Sequence, residues 1–377
     1  MTTQRYSCFL FALVLNLSGI SALLVPAASL SAQEFSKKVV REFFISPTGT
    51  TAVYNKYGDI KVHTWANKLV KMDITLLVKA ADSRAAERLL ERIKINFLHT
   101  PDYVKAETIV ESAPYLGVFL FDSGMPDYKI HYEVWLPAEN RLDVKNRYGD
   151  IYVSHLKGRL LAELRYGSLY GEDLGGDADL SIGYGKATLS QIRNLTGYVS
   201  YSDLLAKRAI EVSMDTRYSD IRILQASQVR IVSKYDKLRF DSVEDLRIQT
   251  RYSELKARQV GSLSLSAQYT DIHLERLYRA LDADLSYGKI ALDALGRHFS
   301  EARIQGKYTD VNITTEPGTA FRLDAQGKHT ALRAKNLSAY SRTETPGGQV
   351  RLSGFHGDAQ APRIITTRLQ YGDFLIK

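Results

Sequence analysis

Thiol chemistry is nearly absent from this chain. Its 377 residues include one cysteine, Cys8, inside an apolar amino-terminal stretch. If that stretch is removed, no disulfide, thiolate nucleophile or cysteine metal ligand remains, whatever the redox compartment. Histidine is sparse too. The eight (63, 99, 131, 155, 273, 298, 329 and 356) show no His-Glu-x-x-His or other ligand spacing. No Gly-x-Ser-x-Gly elbow, Walker loop or Gly-x-Gly-x-x-Gly element occurs. The sequence therefore yields no catalytic, cofactor-binding or metal-ligating residue. "GFHGDAQ" places His356 and Asp358 in one loop, which reads as an ordinary polar loop. Tryptophan is rare, with two residues, yet there are 23 tyrosines. That imbalance needs an explanation.

The amino terminus reads as a secretory leader over 1–33. Arg5 supplies positive charge, Cys8 to Val25 is largely apolar, and "PAASLSAQ" ends in small residues with cleavage near Ala32 or Gln33. An uncleaved membrane anchor is the alternative, although Asn16, Ser18 and Gly19 interrupt the apolar run. The formal charge is +8 with pI ≈ 9.2. An exported basic protein suits acidic polysaccharide, lipid head groups or peptidoglycan, and nucleic acid is a poor partner outside the cytoplasm; the even spread of lysines and arginines reads first as a solvated surface.

The tyrosines resolve into a repeat. Tyr148, Tyr166, Tyr184, Tyr201, Tyr218, Tyr235, Tyr252, Tyr269, Tyr287 and Tyr308 follow one another at gaps of 17, 18 or 21. A further 21 reaches His329 in "GKHTALRA", and 42 more reaches Tyr371 in "LQYGDFLI". Tyr57 in "NKYGDIKV" is an earlier, detached copy. Around each tyrosine, apolar residues stand at +3 and +5 (Ile221 and Ile223, Leu238 and Phe240) and at −6 and −4 (Val212 and Met214, Val229 and Ile231). That is period-two alternation in two short runs per repeat, with polar corners between them. The pattern predicts an all-β chain: a parallel β-solenoid with coils of about 17–21 residues, each adding one strand to each of two sheets. Twelve steps at about 4.8 Å give a rod roughly 58 Å long.

The tyrosine is expected to cover a corner of the core and to stack on its neighbours, with the small residue after it turning the chain. Charges also form rows. Arg147, Arg165, Arg217, Lys234, Arg251, Lys307 and Lys328 precede the tyrosine; Asp150, Asp203, Asp220, Glu254, Asp271, Asp310 and Asp373 stand two after it. Read structurally, the two rows offset each other's repulsion.

Residues 34–146 do not keep the period and read as a β-rich cap that closes the first coil, ahead of the solenoid at 147–377. Within the cap, Asp82 as N-cap and Ala86, Leu89, Leu90 and Ile93 along one side predict a helix over 82–95. "KMDITLLVKA" and "YKIHYEVWLP" read as strands, and "ESAPYLGVFLFDSGMPDY" as a turn-rich loop. Near the other end, "TETPGGQ" and "GFHGDAQAP" read as loops inserted into the last coils.

The paired "NKYGDI" and "NRYGDI", with "DSRAAERLLERIKI" between them, resemble bacterial putative-adhesin families of unknown function built from β-strand repeats, related to toastrack and auto-transporter adhesin-head domains. The resemblance covers almost all of the chain after the leader. It implies a β-solenoid of the periplasm or outer cell envelope with no known enzymatic activity, no established ligand and no residue roles to carry over. The expectation is a non-catalytic adhesin-like or scaffold protein, not an enzyme and without cofactor. Its partner would be an unknown envelope protein or acidic glycan, with no stable membrane span after leader cleavage. The alternatives are a sensing or partner-binding domain in sigma/anti-sigma envelope-stress signalling, and a glycan-active enzyme.

Overall fold

The structure, a computed structural model, describes residues 33–111 and 127–377. Residues 1–32 of the leader expected over 1–33, and most of the loop expected over 111–128, lie outside the described residues. Two sheets of stacked, in-register parallel strands enclose one continuous aliphatic core. Neighbouring coils match residue for residue: Ile221 lies on Leu238, Ile223 on Phe240, Val229 on Leu246 and Ile231 on Ile248. A single coil buries Ile221, Ile223, Ala226, Val229, Ile231 and Ser233.

One inward column lies outside the paired pattern. At eight residues past the tyrosine stand Leu156, Leu174, Ile192, Ala209, Ala226, Val243, Val260, Leu277 and Leu295, all buried. This lone apolar residue fills the corner opposite the tyrosine. There the strand bends without a turn, so that Lys186–Ser200 or Asp220–Lys234 runs across the corner as one strand.

The rod starts earlier than the sequence period suggests. Thr50–Tyr54 pairs in parallel with Arg141–Arg147, and Ile60–Trp65 with Ile151–Val153. Residues 50–65 are thus a coil of the rod within the segment 34–146. Beyond it, each sheet adds one more parallel strand and then ends in antiparallel pairing. One ends in Tyr128–Pro137, Leu69–Ala80 and Gln33–Phe44, the other in Tyr103–Val110 and Ile93–Thr100. The helix Ser83–Glu91 passes from one sheet to the other, with Ala86 buried and the Asp82 carboxylate accepting the Ala85 N–H at 2.8 Å. It is shorter than the expected 82–95. Ile93 and Ile95 belong to strand Ile93–Thr100, whose cross-strand bonds to Tyr103–Val110 outweigh a further helical turn.

At the other end, Ile364–Gln370 inserts between Glu301–Thr315 and Phe321–Lys328, and Phe374–Ile376 between Glu301–Thr315 and Leu332–Ala334. The coils therefore stack in the order Tyr308, Tyr371, His329, which departs from their order in the chain. "TETPGGQ" is not a free loop: Ser338–Glu344 and Gln349–His356 form an antiparallel hairpin that caps the last coil along Phe321–Lys328. "GFHGDAQAP" begins in that hairpin and becomes a loop only after His356.

Candidate functional site

All twelve repeat tyrosines (57, 148, 166, 184, 201, 218, 235, 252, 269, 287, 308 and 371) come together in one column. Each is parallel to the next within 13°, at centroid spacings of 4.7–5.2 Å. His329 stacks on Tyr371 at 5.2 Å as a thirteenth ring, and Tyr128 meets Tyr57 edge-on at 5.5 Å. Eleven tyrosine intervals of about 4.9 Å make a ledge roughly 54 Å long, the spacing being that of the strands beneath. Carbon faces touch at about 3.5–4.0 Å, so parallel rings at this centroid distance are slipped, the offset arrangement that aromatic quadrupoles favour. Inside the column each ring spends both faces on its neighbours. Edges and hydroxyls are what it shows to water.

The column lies on the surface over the corner. From Tyr166 to Tyr371 the tyrosines are 40–50% exposed. Every one of the twelve, and His329, has a left-handed backbone with φ between 51° and 64°. For a bulky residue that conformation costs roughly 1–2 kcal/mol, and glycine would avoid most of it. Stacking returns about 0.5–1.5 kcal/mol per pair. Stacking alone therefore roughly offsets the strain, and what each ring adds beyond that comes from the surface it covers.

Two kinds of corner hold that backbone. In one, the residue after the tyrosine is Ser or Thr. The Ser219 hydroxyl donates to the Arg217 carbonyl at 2.7 Å and accepts the Ser202 N–H at 3.3 Å; Ser202, Ser253 and Thr270 act alike. Asp236 occupies this position in its coil. Its buried carboxylate accepts from Thr216 Oγ1, the Ser219 N–H, Ser233 Oγ and the Lys234 N–H at 2.6–3.1 Å. In the other kind the residue is Gly, and the Asp after it caps the next coil. Asp59 accepts the Asp150 N–H at 3.0 Å, Asp150 the Ser168 N–H at 2.8 Å, and Asp373 the Ala331 N–H at 3.3 Å; Asp310, although it follows Thr309, likewise accepts the Asp373 N–H at 3.0 Å. A Cβ on Gly149 would lie 2.1 Å from the Gly58 carbonyl oxygen, so the glycine is required by the approach of the coils. In "NKYGDI" and "NRYGDI", the buried Asn55 and Asn146 brace that same Gly58 carbonyl.

The two charge rows do not neutralise each other. The acids two past the tyrosine are occupied nearby: Asp220 with Arg239, Glu254 with Lys256 at 2.5 Å, Asp271 with Lys289 at 3.3 Å, and Asp59, Asp150, Asp310 and Asp373 with backbone N–H groups. Only Asp203 in that row lacks such a partner among the described residues. The Lys256 ammonium holds the Glu254 carboxyl below its ordinary range, and Asp220 raises Arg239. The cations before the tyrosine behave differently. Lys56, Arg147, Arg165, Arg217, Lys234, Arg251, Lys307 and Lys328 are all exposed, and among the described residues none has a carboxylate within 4.0 Å. Lys56, Arg147, Lys234 and Lys307 lie over their own tyrosine rings at 4.7–5.7 Å. Neighbouring cations one coil apart repel by up to about 0.9 kcal/mol in water. No ion pair offsets that.

Shallow grooves of about 500–640 Å³ run beside the column at Tyr57–Tyr166, Tyr184–Tyr218 and Tyr252–Tyr287. Among the described residues, no group of three or more His, Cys, Asp or Glu side chains is placed to hold a metal, and no helix is long and apolar enough to cross a membrane. His356 Nδ1–H donates to the Asn336 carbonyl at 2.8 Å while Asp358 accepts the Gln360 N–H, so the two serve separate backbone groups.

No family model matches the chain, and no curated protein does. Solved structures of similar kind do. One is described as a putative cell adhesion protein from Clostridium sporogenes (9% identity, 91% of this chain and 99% of that one, TM-score 0.20). Another is a putative adhesin from Bacteroides fragilis (9%, 90% and 97%, TM-score 0.20). A third is a putative lipid binding protein from Parabacteroides distasonis (10%, 90% and 96%, TM-score 0.21). At such TM-scores the superposition adds nothing to the strand register, which by itself defines the class: a parallel β-solenoid with a surface aromatic column.

Proposed function

We propose that this is a non-catalytic, exported cell-envelope protein, adhesin-like or a scaffold, that binds its partner lengthwise along the tyrosine column. One observation carries the reading. Twelve tyrosines sit in a backbone conformation that strains them, yet ten of them remain 40–50% exposed on one line. Backbone strain concentrates where structure serves recognition, and a line of identical corners suits an extended partner better than a single turnover site. The leader-like segment at 1–33 supports export.

The test replaces Tyr218, Tyr235 and Tyr252 with asparagine, which tolerates the left-handed backbone and so preserves the corner while removing the ledge. The parent chain is expected to bind isolated cell-envelope material and the triple variant to lose at least about tenfold in affinity, three central aromatic contacts being removed. Undiminished binding by a folded triple variant would refute the site. Release of soluble product from any bound glycan would refute the non-catalytic reading.

A further inference from the structure

We propose that the occupant of this surface is a linear acidic polysaccharide, a carboxylate-bearing glycan lying along the rod; this rests on the binding reading above and names its ligand. The charge distribution points there. The acid row is spent on ion pairs and corner caps, with Asp203 the exception, while the eight cations beside the tyrosines have no carboxylate partner among the described residues. The remaining members of the cation row, Gly183, Ser200, Gln268, Ser286 and Gln370, include no acid and offer hydroxyls and amides.

Geometry selects the kind of polyanion. The cations form a line with two runs whose members stand one coil apart, Lys56, Arg147 and Arg165, then Arg217, Lys234 and Arg251, with Lys307 and Lys328 beyond. A chain can follow that line, and a lipid surface would engage it only along one edge. A single-stranded nucleic acid would need free aromatic faces for its bases, and within the column the faces are already stacked on one another. What remains outward is a series of electropositive ring edges and phenol hydroxyls at about 4.9 Å, which hydrogen-bond a hydroxyl-rich chain without stacking it.

The row ends in a cavity of about 660 Å³ lined by Lys307, Lys328, Arg368, Gln305 and Gln370, together with Asp284 and with Arg351, which is paired with Asp324. The insertion of the Tyr371 coil creates this cluster. It sets Gln370 between Lys307 and Lys328, and Arg368 beside Gln305 and Gln326. Three cations without a carboxylate partner among the described residues, and several amides from three coils, form a place for a terminal uronate.

The full chain would be titrated with polygalacturonate and with neutral dextran. Binding to polygalacturonate alone is expected, weakening between about 0.01 and 0.15 M salt as the screening length falls from roughly 30 to 8 Å. Arg217→Gln with Lys234→Gln and Arg251→Gln should weaken it at least about tenfold and flatten its salt dependence. Lys61→Gln with Arg84→Gln and Arg88→Gln makes the same charge change off the row and should cost less than about twofold. Thermal melts of both triples check that each is folded. Equal losses in the two triples would reduce the effect to net charge and overturn the proposal. Tighter binding to phosphatidylglycerol vesicles or duplex DNA than to polygalacturonate would overturn it as well. If polygalacturonate fails to bind while the asparagine triple still loses envelope binding, the ligand is wrong and the binding surface stands. If the asparagine triple also binds normally, both fall.

Discussion

Replacing Tyr235 by alanine and, separately, by glycine separates the ring's contribution from the strain of its backbone. Tyr235 has φ 61°, stacks on Tyr218 at 4.8 Å and Tyr252 at 5.0 Å, lies beneath Lys234 at 5.3 Å and is 40% exposed. Two stacked pairs contribute about 1–3 kcal/mol, and roughly 100 Å² of covered ring about 2.5 kcal/mol. Alanine loses these and keeps the strain, for a net cost of about 3–5 kcal/mol after side-chain entropy is returned. Glycine loses the same ring but relaxes the left-handed corner, so it should be the more stable variant by about 1 kcal/mol. In an ordinary strand the order is reversed. Roughly 330 folded residues at about 2.1 cal/mol/K each give an unfolding entropy near 0.7 kcal/mol/K. If the rod melts as one unit, the Tm falls by about 4–7 °C for alanine and about 1.5 °C less for glycine. Scanning calorimetry on both variants reads this directly. Alanine equal to or above glycine would refute the strained-corner argument, and a parental Tm in both would show that the stack contributes nothing.

Two further outcomes test the corners and the cap. Asp236→Ala strands four buried donors and should destabilise by about 3 kcal/mol, whereas Asp236→Ser, which restores the usual corner hydroxyl, should recover about half; urea midpoints of both compare them. Burial raises the phenol pKa of Tyr132, and burial with Asp143 raises that of Tyr54. The unfolded chain releases these protons near pH 10 while the folded chain holds them, so the stability they contribute is complete below that pH and is lost above it. The Tm is expected to fall between about pH 9 and 11, and less steeply in Tyr132→Phe.

Much of the architecture is legible in the sequence because a solenoid repeats its physics locally. The +3, +5, −6 and −4 columns, the helix cap at Asp82 and the tyrosine period each follow from one coil's needs. The +8 column is harder to see, since a lone apolar residue at a bend has no period-two partner. The stacking order Tyr308, Tyr371, His329 is hidden for another reason: spacing along the chain records when a coil is made and not where it docks. The Asn and Asp of "NKYGDI" are backbone braces, a role that only the approach of Gly149 to the Gly58 carbonyl reveals. The unpaired cations were visible in outline, because thirteen copies of the position before the ring contain no acid. Reading them as partners of the acid row required assuming contacts across the tyrosine that the corner geometry does not make.

The late insertion of Ile364–Gln370 and Phe374–Ile376 also sets the schedule of assembly. Coils up to Tyr308 can be laid down in the order they emerge, each on the edge left by the last. The strands Phe321–Lys328 and Leu332–Ala334 cannot dock on that edge, because the seats beside Glu301–Thr315 belong to residues that emerge some forty positions later. Until those residues arrive, the growing end carries an open strand edge and a waiting hairpin, the condition most prone to mispairing with another chain. The closing segment therefore acts as a keystone, and a chain cut before Ile364 would leave a rod that is sound along its length and adhesive at its tip.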